Sequence, residues 1–487
     1  MRRKLINTKS AFALLMCIAM LISFAACGES GDDTSVAATG EVNNNLKTNE
    51  TELKPDLPDK NFNGEIFTFI NRGEAYVHWE CFDCYAETEI GEPINDAVYR
   101  RNMVIEERYN IKITEFKAST GMERTLFNSI NAGEKIYNAV MINGTGAAFL
   151  AENNVLVDLH TINYINLENP WWDKNANKDF SIGERIFFTA CDIGISDKDG
   201  SWTLAFNKRI LNDGGLENPY DIVKANRWTM DKMYEMAKTV SRDLDGDGKM
   251  TIDDLWGIVA ESYDTYAMFF AGGERIFKNN AEGYPELVVY SERGVRVIDK
   301  YMQMVKDKEH YYVVVSTIDN PFNDGRALFY ATTLYTIRNY WRDMDDDFGI
   351  IPLPKYDELQ ENYHHIVSIG ASGAVLGVPI TTPNLELTGI ILEDLSYESG
   401  KTLMPAYMDI CFNNKYLRDK ESIDMLALCL ESRVFDFSII YDWGGWYAYF
   451  IGLNANSNVN FTSEFEKKQE STIAAMDKII DIYKQLN

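Results

Sequence analysis

The chain has 487 residues, 46% of them hydrophobic and 25% charged, and a formal net charge of −27. That length has room for two or three domains, and the composition is that of a soluble globular protein. Such an excess of acid excludes a nucleic-acid partner held through Lys and Arg, and docking on anionic lipid head groups. The five histidines, His78, His160, His310, His364 and His365, form no HExxH pattern, so nothing supports a His-based catalytic metal.

In chain order, "MRRKLINTKS" is cationic and residues 11–26 are an apolar run. The run is too short to span a bilayer and fits the h-region of a secretory signal, residues 1–26. It ends in "SFAAC", where Ala25 and Ala26 precede Cys27 as in a bacterial lipobox, with Phe24 in place of the usual Leu. Cys27 is the expected lipidation site, anchoring the protein to the outer face of the cell membrane without a spanning helix. Cleavage there removes Arg2, Arg3, Lys4 and Lys9 and no acid, so the mature chain is more acidic still. Residues 27–60 are polar and nearly free of large apolar groups, which predicts a flexible tether.

Five cysteines remain: Cys81, Cys84, Cys191, Cys411 and Cys429. An odd set in so long a chain is no disulfide framework. "CFDC" is a CxxC without a thioredoxin-like setting, and reads as a local disulfide or as two plain thiols.

The body opens with a strand at "GEIFTFI", a helix at "EPINDAVYRRNMVIEERYN", a strand at "IKITEF", a strand at "NAVMI" (138–142), then the turn "NGTG" and a helix. Strands alternating with helices predict an α/β sheet with crossovers. "GTGAAF" is no dinucleotide fingerprint, and "SGKT" lacks the upstream Gly of a phosphate loop. Further on, "WTMDKMYEMAKTV" predicts a helix capped by Thr229, with Met233, Met236, Ala237 and Val240 on its inner face. "WGIVA", "ALFYATT" and "FGIIPLP" predict strands and "GVRVIDKYMQMVKD" a helix. "IVSIGASGAVLGVP" reads as one long β segment. The last helix starts at "SEFE", with Ser463 and Glu466 at capping-box spacing.

Between the Thr229 helix and "WGIVA" lies "DLDGDGKMTIDDLWG". Numbered as a helix–loop–helix calcium loop, Asp243, Asp245 and Asp247 fall at positions 1, 3 and 5, Gly248 at 6, Lys249 with its carbonyl at 7, and Asp254 at 12. Carboxylate oxygens at that spacing suit a structural Ca²⁺ clip between helix and strand. The other reading is a solvated acidic turn.

Aromatic residues are abundant, with nine Trp and 27 Tyr. Several stand beside acids in segments that read as loops: "VHWECFDCY", "NPWWDK" and "IIYDWGGWYAYF". Flat rings next to carboxylates and amides suit sugars, whose C–H faces stack while their hydroxyls hydrogen-bond. Trp228 and Trp256 are assigned to the core. The pairs Trp171/Trp172 and Trp443/Trp446, with Asp173 and Asp442 nearby, are ligand candidates.

From about residue 60 onward the chain resembles extracellular solute-binding lipoproteins of bacterial ABC sugar importers, the maltose-binding-like superfamily. The resemblance is carried in order by "GEPINDAVYRRNMVIEERYNI", "NVLVDL", "NPWWDK", "LAFNKRIL", "RWTMDKMYEMAK", the aspartate loop, "FNDGRALF", "FGIIPLPKYDELQENY", "GVPITTPNLELTGIILEDLSYES" and "RDKESIDML". It implies two α/β lobes of the type II periplasmic-binding-protein fold, closing on ligand about a hinge. Lobe one would be residues 61–163 plus 364–400 and lobe two 164–363 plus 401–487. The chain would cross near 160–166, 358–366 and 400. Contacts from strand-end loops would be Arg72, Glu74, Trp79, Asn143, Thr145, Trp171, Trp172, Asp173, Tyr263, Asp264, Tyr335 and Trp443. The expected partners are an oligosaccharide and a membrane permease, the protein being a monomer and no enzyme. The rival classes are a secreted glycoside hydrolase, which needs two facing carboxylates, and a calcium-stiffened adhesion module.

Overall fold

The structure, a computed structural model, describes residues 53–314, 317, 319–341, 344–412, 420–455 and 460–486. The expected signal, Cys27 and most of the tether lie outside the described residues, as do parts of the segment around 411–419. The compact unit begins at Lys54. Residues 54–60, expected within the tether, lie on it instead: Leu57 packs on apolar core and Lys60 pairs with Glu386 at 3.0 Å.

Two five-stranded mixed sheets organise this unit. In the first, Glu65–Arg72 lies parallel between Ile111–Ala118 and Ala139–Asn143. Ala374–Gly377 then runs antiparallel to Ala139–Asn143 and, on its other side, to Phe188–Thr189. In the second, Trp202–Asn207 runs antiparallel between Phe348–Ile351 and Ala327–Thr333. The parallel strands Trp256–Ala260 and Tyr311–Val313 complete it. The central strands Ala139–Asn143 and Trp256–Ala260 are covered on both faces and are continuous apolar runs.

The elements form for local reasons. Pro93 opens the helix Pro93–Tyr109, Glu92 accepts from the Asn95 amide, and Asn110 ends it in the left-handed conformation. Thr229 caps Met230–Val240 by accepting from the Lys232 amide, and the four residues expected on its inner face are buried. Trp228 and Trp256 are buried in the core, as expected. The segment "IVSIGASGAVLGVP" is not one strand. It gives His365–Ile366, then a turn, then Ala374–Gly377, because Gly370 and Gly373 break the run and let the turn press against neighbouring chain. A Cβ on Gly370 would collide with the Ile439 carbonyl oxygen. The final helix, Phe461–Gln485, is capped by Asn460 accepting from the Ser463 amide. Ser463 therefore lies inside the helix, not at the cap.

The first crossing falls later than 160–166. Phe188–Thr189 still pairs in the first sheet, and Trp171 and Trp172 pack with Phe67, Ile113 and Leu387. Residues 164–189 belong with lobe one, and the chain passes over between Thr189 and Trp202. It returns between Ile351 and Ala374. After the helix Leu385–Lys401 it leaves through Leu403–Phe412, which packs on Pro93–Tyr109, and reaches Lys420–Glu431, which packs on Phe348–Ile351. The passages run side by side. Ser368 N–H donates to Gly200 O at 2.8 Å, Val367 N–H donates to Val434 O at 3.1 Å, and His365–Ile366 pairs with Arg433–Val434.

Candidate functional site

Where the two sheets face each other, a cavity of about 480 Å³ opens. Lobe one contributes His78 and Trp79 from the 3-10 turn Glu74–Trp79, which directly follows the first strand. Lobe two contributes Trp202, Glu261, Tyr263, Thr332, Tyr335 and Tyr447, and the returning passage contributes Ser368 and Ser372. Trp202 and Thr333 are register partners at one end of adjacent antiparallel strands, so both reach the same rim. The lobes touch across the opening: the Trp79 and Tyr335 rings lie 4.5 Å apart, and Tyr340 Oη lies 3.4 Å from His78 Nδ1.

Glu261 is the only carboxylate on this cavity's wall among the described residues. Its side chain accepts from the Tyr330 hydroxyl and its carbonyl from Asn454 Nδ2 at 2.5 Å. Burial raises its pKa. Asp264 lies behind it, almost fully buried, accepting from the Glu261 amide at 2.9 Å while its second oxygen has no partner among the described residues. Burial first, and then the Glu261 charge, push the Asp264 carboxyl well up.

The expected contact residues divide. Trp79, Tyr263 and Tyr335 are brought together on the cavity wall, Tyr263 with 41% of its surface exposed. Arg72 is fully buried behind it and donates from Nη1 to Ser372 O at 2.5 Å. Glu74 is exposed and faces a different depression beside Lys117. Asn143 and Thr145 hold the returning passage: Asn143 Nδ2 donates to Thr145 Oγ1, and Thr145 N–H and Oγ1 donate to Gly370 O.

The remaining candidates are structural. Trp171 and Trp172, 5% and 1% exposed, donate their indole N–H groups to Glu393 at 3.0 and 2.8 Å. Asp173 caps the helix Lys174–Phe180 and pairs with Arg433, which also meets Asp197 at 2.9 Å beside the passages. Asp264 is beneath the wall. Trp443 is buried, stacked on Tyr441 at 4.7 Å and edge-on to Phe277. The site reading of the tryptophans in "NPWWDK" and "IIYDWGGWYAYF", the fully buried Trp446 included, fails because each turn folds back onto apolar core, where a ring gains more from burial than from exposure. The residues missed are Trp202, Glu261 and Tyr447. Glu261 directly follows the strand "WGIVA", so strand-end position was the available signal.

The aspartate loop gathers three of its expected ligands. Oxygens of Asp243, Asp245 and Asp254 lie within 4.8 Å of one another. Gly246 and Gly248 take left-handed φ of 76° and 82° and donate N–H to Asp243 at 2.7 Å each. Leu244 and Thr251 amides donate to Asp254. These donors hold Asp243 and Asp254 below the usual carboxylate range, so both are ionised and fit a hard cation. Asp247 stays outside the group and accepts from the Lys249 amide. Cys81 and Cys84 are free, buried thiols with sulfurs 3.4 Å apart.

This sheet order and the paired lobes define the two-lobed periplasmic-binding-protein fold. The ABC substrate-binding protein Lmo0181 from Listeria monocytogenes, solved with cycloalternan, is similar at TM-score 0.52 and 14% identity, covering 86% of this chain and 99% of that one. UspC of M. tuberculosis is similar at TM-score 0.55 and 12% identity, covering 84% and 100%. A cyclo/maltodextrin-binding protein solved with maltotetraose is similar at TM-score 0.55 and 14% identity, covering 90% and 98%. No sequence-family profile matches the chain, and no curated protein matches it.

Proposed function

We propose that this protein is the substrate-binding component of a bacterial ABC importer, capturing an oligosaccharide between its lobes and delivering it to a membrane permease. The observation that carries this is the cavity wall itself. Aromatic rings from both lobes, with hydroxyls of Thr332, Ser368 and Ser372, converge on one opening, and such a surface matches the alternating C–H and O–H faces of a sugar. The fold is shared with binding proteins solved with cycloalternan and maltotetraose. Ligand favours the closed form because only that form makes both sets of contacts. We also place the protein at the outer membrane face as a lipoprotein attached through Cys27, and assign Asp243, Asp245 and Asp254 to a structural Ca²⁺. No helix among the described residues is long and apolar enough to cross a membrane.

The test is small-angle scattering with tryptophan fluorescence across a panel of neutral oligosaccharides. A binding sugar is expected to quench fluorescence and reduce the radius of gyration. Release of hydrolysis products, or binding without compaction, overturns the proposal.

A further inference from the structure

A second cavity, of about 650 Å³, adjoins the first and shares His78, Trp79 and Tyr335 with it. The Trp79–Tyr335 contact is thus a partition between two compartments of one groove. The two differ in polarity but agree in sign. The first compartment carries Glu261 and, among the described residues, no Lys or Arg on its wall. The second carries Glu80, Asp83, Glu87, Glu92, Glu115 and Asp199 against Lys117 and Arg338. Both cations are already engaged within the same wall. Lys117 meets Glu80 at 2.8 Å and Glu115 at 3.8 Å, and Arg338 meets Asp199 at 2.6 Å. Arg72, behind the first compartment, is fully buried and turned to Ser372 O, and Arg101, behind the second, is fully buried and donates to Asp83 O. A carboxylate, sulfate or phosphate entering the groove therefore meets net like charge and, among the described residues, no cation that is not already engaged.

We infer that the groove selects by charge: it takes neutral and amine-bearing oligosaccharides and rejects acidic ones, with Glu261 as the carboxylate that meets the amine. This rests on the carbohydrate reading above and narrows it. Like-charge juxtaposition at a site penalises the wrong partner strongly. A uronate should bind at least about tenfold more weakly than its neutral counterpart, and an amine-bearing sugar more tightly. The amine preference should shrink as salt rises, since the groove is open to solvent.

The experiment uses the full mature chain on an array carrying neutral, glucosamine-containing, uronate-containing and sulfated oligosaccharides. Calorimetry then follows on the tightest binder and its uronate and amine counterparts, for the wild type and Glu261→Gln. The substitution keeps an acceptor for the Tyr330 hydroxyl. The expected result is that the binders are neutral or amine-bearing, and that Glu261→Gln reduces the ratio of amine to neutral affinity. Tightest binding by uronates or sulfated sugars overturns charge selection and leaves carbohydrate capture standing. An unchanged ratio in Glu261→Gln overturns the role of Glu261. No binding by any sugar class overturns the carbohydrate reading, and this inference with it.

Discussion

Trp79 and Tyr335 meet at 4.5 Å with their rings inclined by 33°, and this contact joins a turn of one lobe to a helix start of the other. Tyr335 also packs edge-on to His78 and Tyr340. Replacing either ring by Ala removes both a lobe–lobe contact and a wall for the ligand. Each change should weaken sugar affinity by about 1 kcal/mol or more, roughly fivefold, and enlarge the free protein in scattering. Titration calorimetry on Trp79→Ala and Tyr335→Ala checks the first effect. Affinity equal to wild type in both would show that the ligand seats elsewhere.

Trp171 and Trp172 predict the reverse pattern. Their indole N–H groups, together with Asn169 Nδ2 at 2.5 Å and the Asn166 amide at 3.2 Å, converge on the buried Glu393 carboxylate. Glu393→Ala strands several buried donors. It should cost about 3 kcal/mol of stability while leaving sugar affinity of the folded fraction intact. Thermal melts and binding curves measured on the same sample separate the two outcomes.

His365 makes stability depend on acid. Its Nε2 accepts from the Leu353 amide at 3.1 Å, so that nitrogen carries no proton, and Nδ1 faces Ser432 Oγ at 2.8 Å. Burial lowers its pKa to about 3, and that of His364 to about 4. Both are lower than in the unfolded chain, so the unfolded state binds more protons from about pH 6.5 downward. Stability should then fall on acidification, by about 1.4 kcal/mol per pH unit for each such group. Asp436 opposes this. Burial raises it to about 6, so between about pH 4 and 6 its protonation favours the folded state. Denaturant melts from pH 7 to 4 should show a flatter acid limb in His365→Gln than in wild type.

The aspartate loop gives a metal test. If Ca²⁺ joins Asp243, Asp245 and Asp254, saturating calcium should raise the melting temperature by several degrees and a chelator should reverse it. An ion at 100-fold its dissociation constant adds about 2.7 kcal/mol. Asp245→Ala should abolish the response. A calcium response preserved in that variant would place the ion at another site.

The sheets were legible because their strands are short apolar runs bounded by turns, as in "NAVMI" and "WGIVA", and because Thr229 and Pro93 mark helix starts. The site was legible only where position along a strand decided it. Tyr335 and Tyr263 follow strands, and both reach the cavity. Trp171, Trp172 and Trp443 looked alike in sequence, since an aromatic residue beside an acid is written the same way on a cleft wall and in a core. What separates them is a distant residue: Glu393 receives the first two, and Phe277 meets the third edge-on. No local pattern carries that information. The late first crossing was hidden for the same reason. A two-residue strand, Phe188–Thr189, is specified by its partner Ala374–Gly377 and not by its own composition.

That partner strand has a temporal consequence. Ala374–Gly377 sits between Ala139–Asn143 and Phe188–Thr189, so the earlier-made strands flank a gap that only a much later stretch can fill. Until that stretch emerges from the ribosome the nascent N-terminal half has an unfinished sheet, and closing so long a loop is slow. A polypeptide built this way stays threadable until synthesis is nearly done, as export before folding would require under the lipoprotein placement proposed above.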